Sequence, residues 1–184
     1  MGLSRHPTAR YDSFARALHW LMAGAIVLAW TVIEAKGLFP KGSSGRALVT
    51  SLHVQLGLAV AVLIAVRIPW RVAHPVAPAP TRAPAWTGKI AAGTKLALYL
   101  RMLLMPVLGV ATTQAEGDTV SSLGFAVPDF FGWLEAQKRT LKEIHETLGN
   151  ALIALAGVHG VAALWHHIVL RDATLERMLG ATQR

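Results

Sequence analysis

The sequence contains no cysteine among its 184 residues. The absence of cysteine excludes every structure that needs its side chain. These structures are disulfide bonds, thiolate-ligated zinc, iron–sulfur clusters and covalently attached haem of the c type. A bound metal must therefore be ligated by histidine, methionine or carboxylate side chains. Histidine is the main candidate, because the chain has eight histidines.

Charged residues are also scarce, at 15% of the chain, whereas 53% of the residues are hydrophobic. Soluble domains usually carry about 25% charged residues, so this composition predicts an integral membrane protein. The formal net charge of +8 does not indicate nucleic-acid binding, because the basic residues lie between apolar runs rather than in a dense block. We interpret them as charges that flank membrane spans and expect no nucleic-acid partner.

Four apolar runs are long enough to cross a bilayer as helices, which takes about 20 residues each. The third run is weaker than the others because it contains Lys95, Arg101 and Pro106, whose polar groups must be buried against protein, cofactor or water. For Arg101 we expect a structural ion pair, and for Lys95 a position near lipid headgroups. The sequence thus predicts an all-α fold, a four-helix bundle forming a single membrane domain over residues 1–184, with approximate spans 15–34, 47–68, 90–113 and 144–170.

The distribution of lysine and arginine predicts the orientation, since cytoplasmic segments are enriched in both. The N-terminus, the second connection and the C-terminal tail should be cytoplasmic, which places both termini on that side. Their basic residues are Arg5, Arg10, Arg16, Arg67, Arg71, Arg82, Lys89, Lys95, Arg171, Arg177 and Arg184. Five prolines between residues 69 and 84 predict that the second connection is extended, because proline at this density excludes helix.

Four histidines lie in the predicted spans, at two depths. His19 and His53 both lie near the start of their spans, and because these spans run in opposite directions, His19 should be near the cytoplasmic face and His53 near the outer face. His145 and His159 lie on the fourth span, 14 residues apart, which is about 21 Å of helix with both side chains on nearly the same face. Depth therefore pairs His53 with His145 and His19 with His159.

Paired histidines at one depth suit haem b, whose iron accepts a neutral imidazole on each axial side and whose flat ring fits between the helices of a bundle. We expect two non-covalent b haems, an outer one between His53 and His145 and an inner one between His19 and His159. The alternative is that each histidine is simply a hydrogen-bonded polar residue in the bundle. Small residues beside these positions would admit a porphyrin, although they also occur in ordinary helix packing; they are Gly57, Gly149, Gly157 and Gly160.

Two further groups of residues are candidates for substrate handling. His166 and His167 lie near the cytoplasmic end of the fourth span, where they are either hydrated interfacial residues or a quinone and proton site. The outward-facing connections carry basic residues that could attract a small anion, although solvated loops account for the same charges. These residues are Lys36, Lys41, Arg46, Lys138, Arg139 and Lys142.

The chain resembles the bacterial cytochrome b561 family over nearly its whole length, and in particular the subgroup that contains the superoxide oxidase of enterobacterial inner membranes. It departs from the family pattern at Lys95, where histidine is frequent, and at Arg101, where an apolar residue is frequent. The matching stretches are Leu18-His19-Trp20, Gly37-Leu38-Phe39-Pro40, Leu52-His53-Val54 with Gly57, Val66-Arg67, Tyr99, Pro106-Val107-Leu108-Gly109, His145-Glu146-Thr147-Leu148, His159, His166-His167, Asp172 and Thr174-Leu175.

The resemblance implies two b haems ligated by the same four histidines, in a multi-pass protein of the bacterial inner membrane. It also implies that superoxide at the periplasmic face is oxidised to dioxygen while membrane ubiquinone is reduced. Two other functions stay open at this point. One is a membrane-anchoring cytochrome b subunit that passes electrons between a partner dehydrogenase or hydrogenase and quinone, and the other is a haem-free structural bundle.

Overall fold

The structure is a computed structural model, and it describes residues 10–77, 81, 83–122 and 124–180. Arg5, Arg82 and Arg184, which the orientation argument uses, lie outside the described residues. Four long helices dominate the described part, and each contains a stretch long and apolar enough to cross a membrane. They are α1 (Ser13–Glu34), α2 (Ser44–Ala73), α3 (Ala85–Ala115) and α4 (Lys138–Ile168).

Local sequence signals set the ends of these helices. The Asp12 side chain accepts a hydrogen bond from the Ala15 amide at the start of α1, and Ser43 caps α2 in the same way through the Arg46 amide. Such caps satisfy amide groups that have no partner inside the helix. Helix α3 begins after Pro84 and ends before Gly117, whose φ of 88° is the left-handed conformation that terminates many helices.

The helices pack as two antiparallel pairs, α1 with α2 and α3 with α4. The two pairs are joined where α2 packs against α3. By comparison α1 and α4 approach each other at few positions, among them the His19 and His159 rings and the Trp30 indole, which donates to the Asn150 side chain at 3.0 Å. The buried apolar core is small and lies at mid-depth, where Met22, Ile64, Met102 and Leu152 come together. Many large apolar side chains on the outer surface are exposed, as expected for helices that face lipid. The predicted all-α membrane four-helix bundle is thus confirmed.

The helices run beyond the predicted spans at several ends, and one prediction about proline is wrong. Pro69 does not belong to an extended connection but lies inside α2, which continues to Ala73. Proline removes one backbone donor, which deprives only the Ala65 carbonyl of its partner, and near a helix end this loss is tolerated. Arg67 is likewise part of α2 and is buried, at 7% exposure. Helix α2 ends at Ala73, so the predicted connection is shorter at this end than the prolines indicate.

The outer connection between α3 and α4 is folded back onto the bundle. It contains a short hairpin, β1 (Ser121–Ser122) with β2 (Phe125–Ala126), and a 3₁₀ segment, Gly132–Gln137. Gln55 of α2 donates to the Ser121 carbonyl (2.6 Å) and accepts from the Ser122 hydroxyl (2.7 Å). Buried Gln114 donates to the Pro128 carbonyl at 2.8 Å and accepts from the amides of Phe130 and Phe131. Two glutamines therefore hold this connection over the outer end of the bundle.

The tail after α4 packs on the opposite end, which we call the inner end. It contains one helical turn, α5 (Glu176–Leu179). The Trp20 indole donates to the Met178 carbonyl (3.2 Å), and the Arg177 guanidinium donates to the Ala77 carbonyl (2.7 Å). The start of α1 and the tail therefore lie at the same end of the molecule. That this end faces the cytoplasm remains a prediction from the positive charges.

Candidate functional site

The four span histidines form two close pairs at different heights in the bundle. The ring centroids of His53 and His145 are 6.0 Å apart, and those of His19 and His159 are 6.5 Å apart. In both pairs the rings are nearly perpendicular, at 87° and 75°. Helix α4 contributes one histidine to each pair, while α2 supplies the partner in the outer pair and α1 the partner in the inner pair. These are the pairs that the depth argument predicts.

In the outer pair, His53 has the hydrogen bond expected of a metal ligand, whereas His145 does not in the part of the chain that the structure describes. His53 Nδ1 lies 2.9 Å from the Ala29 carbonyl oxygen, and because a carbonyl only accepts, Nδ1 must carry the proton. The lone pair of a neutral His53 is therefore on Nε2, as in the many metal sites where a backbone carbonyl fixes the tautomer. His145 Nδ1 is buried and has no hydrogen-bond partner within the described residues, which is costly for a polar atom unless another group satisfies the ring.

The inner pair is surrounded by cationic and phenolic groups. Buried Arg67 has its Nη2 3.2 Å from His19 Nδ1, and it also donates to the Tyr99 hydroxyl (3.3 Å) and the Ala15 carbonyl (3.4 Å). Because a guanidinium only donates, this contact makes His19 Nδ1 the acceptor. His19 could ligate a metal through Nε2 only if Nδ1 gained a proton and Arg67 moved away from it. Arg67 is thus part of the inner site, not of a solvated connection.

The spacing of both pairs fits one metal ion between two imidazoles. An imidazole nitrogen binds a metal at about 2 Å, so rings on opposite sides of one ion have centroids about 6 Å apart. There is also open space beside the outer pair, because a Cβ atom added at half-buried Gly57, one turn after His53, would meet no atom within 4 Å. The same holds at Gly24, Gly157 and Gly160, but these glycines are exposed and do not show space inside the bundle. The donor set, the spacing and this open space together fit haem b. Gly149, in contrast, faces Met105 of α3 and not the pairs.

The predicted quinone and proton residues lie at the inner end, next to the tail. His166 Nδ1 donates to Asp172 Oδ2 at 2.6 Å, and the same carboxylate oxygen accepts from the Thr81 hydroxyl at 2.7 Å. His167 Nδ1 is 3.9 Å from Glu176 Oε1. The structure therefore brings His166 into a polar cluster with Asp172 and Thr81, which sequence reasoning did not assign to this site.

The six predicted steering cations lie on the outer connections but are not equivalent. Lys138 and Arg139 form exposed ion pairs with Glu135 (3.6 Å) and Glu143 (2.9 Å), respectively. Arg46 donates to the carbonyls of Lys36 and Phe39 and so holds the first connection together. Within the described residues no ion pair involves the remaining three cations. These are Lys36, Lys41 and Lys142.

Arg101 does not form the expected ion pair. No carboxylate within the described residues is at ion-pair distance from it, and its Nη1 donates instead to the Leu148 carbonyl of α4 at 3.3 Å. Lys95 is exposed on α3. Three other residues had a signal in the sequence: Arg67 directly follows an apolar run, and Gln55 and Gln114 are polar residues within apolar runs. A polar residue buried in a membrane bundle needs a specific partner.

A membrane-embedded bundle with histidines paired across the helices is the architecture of membrane-bound b-type cytochromes. The family model for prokaryotic cytochrome b561 matches residues 10–181. The chain is 37% identical to cytochrome b561 homolog 1 of Escherichia coli strain K12, over 92% of this chain and 97% of that protein. It is 30% identical to the probable superoxide oxidase CybB of Yersinia pestis, over 92% and 96%, respectively.

The chain therefore belongs to the prokaryotic cytochrome b561 family. Membership of this family makes it a multi-pass protein of the bacterial inner membrane that contains haem b and transfers electrons. The resemblance stated from the motifs is confirmed.

Proposed function

We propose that this protein holds two b haems and transfers electrons from superoxide at the outer face to ubiquinone in the membrane. The observation that carries the proposal is the pair of histidine pairs, with centroid distances of 6.0 and 6.5 Å. Along α4 the two levels are 14 residues apart, or about 21 Å. Two one-electron carriers at these levels would connect the two faces of the membrane.

The four histidines are the residues that would hold the haems, His53 with His145 outside and His19 with His159 inside. Haem b, when bound, supplies reversible one-electron chemistry. The chain's own groups orient the ligands: the Ala29 carbonyl fixes the His53 tautomer, and Gly109 leaves room for the His145 ring, since a Cβ there would lie 3.2 Å from His145 Cε1. Arg67 keeps a positive charge beside the inner pair.

Superoxide is proposed as the electron donor for two reasons. One relative of similar length is named a probable superoxide oxidase, and the outer connections of this chain carry cations without ion-pair partners within the described residues, Lys36, Lys41 and Lys142. Such charges raise the local concentration of a small anion and its rate of encounter. His53 and His145 would hold the outer haem from both sides, so superoxide would be oxidised beside the histidine pair rather than as a bound ligand.

Quinone reduction is proposed at the inner end, near His166. Two superoxide ions each lose one electron and become dioxygen, while one quinone gains these two electrons and two protons and becomes quinol. The two protons must reach the quinone through the protein or from water. His166, held by Asp172 through Nδ1 at 2.6 Å, has its second ring nitrogen available to pass a proton, and His167 is an alternative donor at the same end.

The first test counts haems. Purified wild-type protein should contain two b haems per polypeptide in the reduced-minus-oxidised absorption spectrum and by haem quantification. His53→Ala and His159→Ala should each contain one. His74→Ala is the matched control, because His74 is exposed on a connection and stacks on Trp70; this variant should keep both haems. One haem or none in wild type would overturn the two-haem scheme.

The second test concerns the donor. The purified chain should reduce a soluble ubiquinone analogue when superoxide is generated enzymatically, and the rate should fall as ionic strength rises, because salt screens the cations. Superoxide dismutase in the assay should abolish the reaction. If superoxide leaves the haems oxidised, and only a co-purifying dehydrogenase or hydrogenase reduces them, the chain is a membrane-anchoring cytochrome b subunit instead.

A further inference from the structure

Arg101 is a cation for which the sequence offers no acidic partner within the membrane. No aspartate or glutamate occurs between Glu34 and Glu116, or between Glu146 and Asp172. All of α2 and α3 and most of α4 are therefore free of carboxylates. The Arg101 guanidinium is half-buried, and its hydrogen bond to the Leu148 carbonyl satisfies one donor without neutralising the charge.

The contact with Leu148 places this charge between the two histidine levels. Leu148 is three residues after His145 and eleven before His159, so it lies about 5 Å along the helix from the outer level and about 16 Å from the inner one. The next residue of α3, Met102, belongs to the core cluster that fills the bundle at mid-depth. The guanidinium is thus half-buried against α4 at this depth, nearer the outer pair.

We propose that Arg101 sets the reduction potentials of the protein, raising that of the outer haem more than that of the inner haem. This inference rests on the proposed two-haem function. Reduction adds one negative charge to a haem, so a fixed positive charge nearby favours the reduced form. A half-buried charge on a membrane-spanning helix is screened less than a charge in water. Arg101 would therefore make the outer haem a better electron acceptor, which suits a site that takes electrons from outside the membrane.

The expected size of the effect follows from the separation. In a medium with an effective dielectric constant of about 20, a unit charge at roughly 10 Å changes a one-electron equilibrium by about tenfold. A tenfold change corresponds to 59 mV for a one-electron couple. The inner haem, being farther away, should respond less.

The experiment is an optical redox titration of the purified haem-loaded protein and of three variants. Arg101→Gln removes the charge but keeps an amide that can donate to the Leu148 carbonyl, whereas Arg101→Lys keeps the charge. Lys89→Gln is the control, because it makes the same charge change at an exposed position on the same helix, 12 residues nearer the inner end. Haem per polypeptide is measured for each protein.

Arg101→Gln should lower the outer haem's midpoint potential by about 59 mV, which corresponds to a tenfold change in the equilibrium constant for reduction. The inner haem's midpoint potential should fall by less. Arg101→Lys and Lys89→Gln should leave both unchanged. Repeating the titration in a His159→Ala background, which retains only the outer pair, assigns the larger shift. Should Arg101→Gln disturb haem loading, Arg101→Met is the second neutral variant.

Unchanged potentials in a neutral variant that still holds both haems would overturn this proposal, as would an equal drop in Arg101→Lys. Both results leave the two-haem function intact. Wild-type protein with fewer than two haems would instead overturn the proposed function itself, so the two failures are distinguishable.

Discussion

The environment of the Asp172 carboxyl group predicts how the free energy of unfolding depends on pH. It accepts hydrogen bonds from His166 Nδ1 (2.6 Å), the Thr81 hydroxyl (2.7 Å) and the Thr174 amide (3.0 Å), and its side chain is only 4% exposed. Burial alone raises the pKa of Asp172, but the hydrogen bonds outweigh burial and lower the pKa from 3.8 to about 2. The folded protein therefore favours the ionised carboxylate.

The sign and size of the effect on stability follow from linkage. Because the pKa is lower in the folded state than in the unfolded state, the ionised group stabilises the fold at any pH above about 4. This contribution is lost as the pH falls from about 4 to about 2 and the folded state takes up the proton. The difference between the two pKa values corresponds to about 2 kcal/mol.

Asp172→Asn should therefore lower the free energy of unfolding at pH 7 by about 2 kcal/mol, which for a chain of this length is roughly 4–8 °C in melting temperature. Melting would be followed by far-ultraviolet circular dichroism in detergent at a series of pH values. The gap between wild type and variant should close as the pH falls from 4 toward 2. Asp118→Asn, at an exposed turn, should melt like wild type throughout.

A variant that melts with wild type at pH 7 would refute this reasoning. A gap that stays constant between pH 7 and pH 2 would refute the linkage part alone, since it would show that the hydrogen bonds stabilise the fold without favouring the ionised carboxylate.

Two further predictions concern the outer end of the bundle. Gln114→Ala removes an amide that pairs with the loop backbone at Pro128 and Phe130, so it should lower the free energy of unfolding by about 2–3 kcal/mol. It should also speed hydrogen exchange in the outer connection, measured by mass spectrometry. Unaltered exchange would contradict the anchoring role. Gly57→Leu fills open space one turn after His53, so it should reduce haem content from two to one per polypeptide, whereas retention of both haems would show that the cofactor does not use this space.

The fold was largely predictable because lipid imposes a simple rule on sequence. A run of about 20 apolar residues must form a helix that satisfies its own backbone, and the four runs are unmistakable in this chain. The ends were less predictable: α4 begins at Lys138, six residues before the predicted span, because a helix can continue past the bilayer into water. The prediction for Pro69 was wrong because a proline near a helix end weakens the helix without ending it.

The pairing of the histidines was predictable because the depth of a residue in the membrane follows from the helical rise per residue. The groups around each pair were not, because they depend on the rotation of each helix about its axis and on tertiary contacts. Arg67 was counted as a flanking charge, yet it faces His19 at 3.2 Å. Asp172 follows α4 by only four residues, but its partner Thr81 is 91 positions away in sequence. Gln55 and Gln114 hydrogen-bond to the outer connection, and no local sequence pattern links either glutamine to that connection.

The sparse contact between α1 and α4 has a consequence for how the protein is made. Helices α1 and α2 can enter the membrane as one hairpin and α3 and α4 as another, each already satisfied in its own backbone bonds. Each histidine pair joins one helix of the first hairpin to α4 of the second, so a haem held by either pair would link the two hairpins and stabilise their association. On the proposed scheme, removing the cofactor should loosen the contact between the hairpins while leaving each helix intact, since every helix satisfies its own backbone bonds.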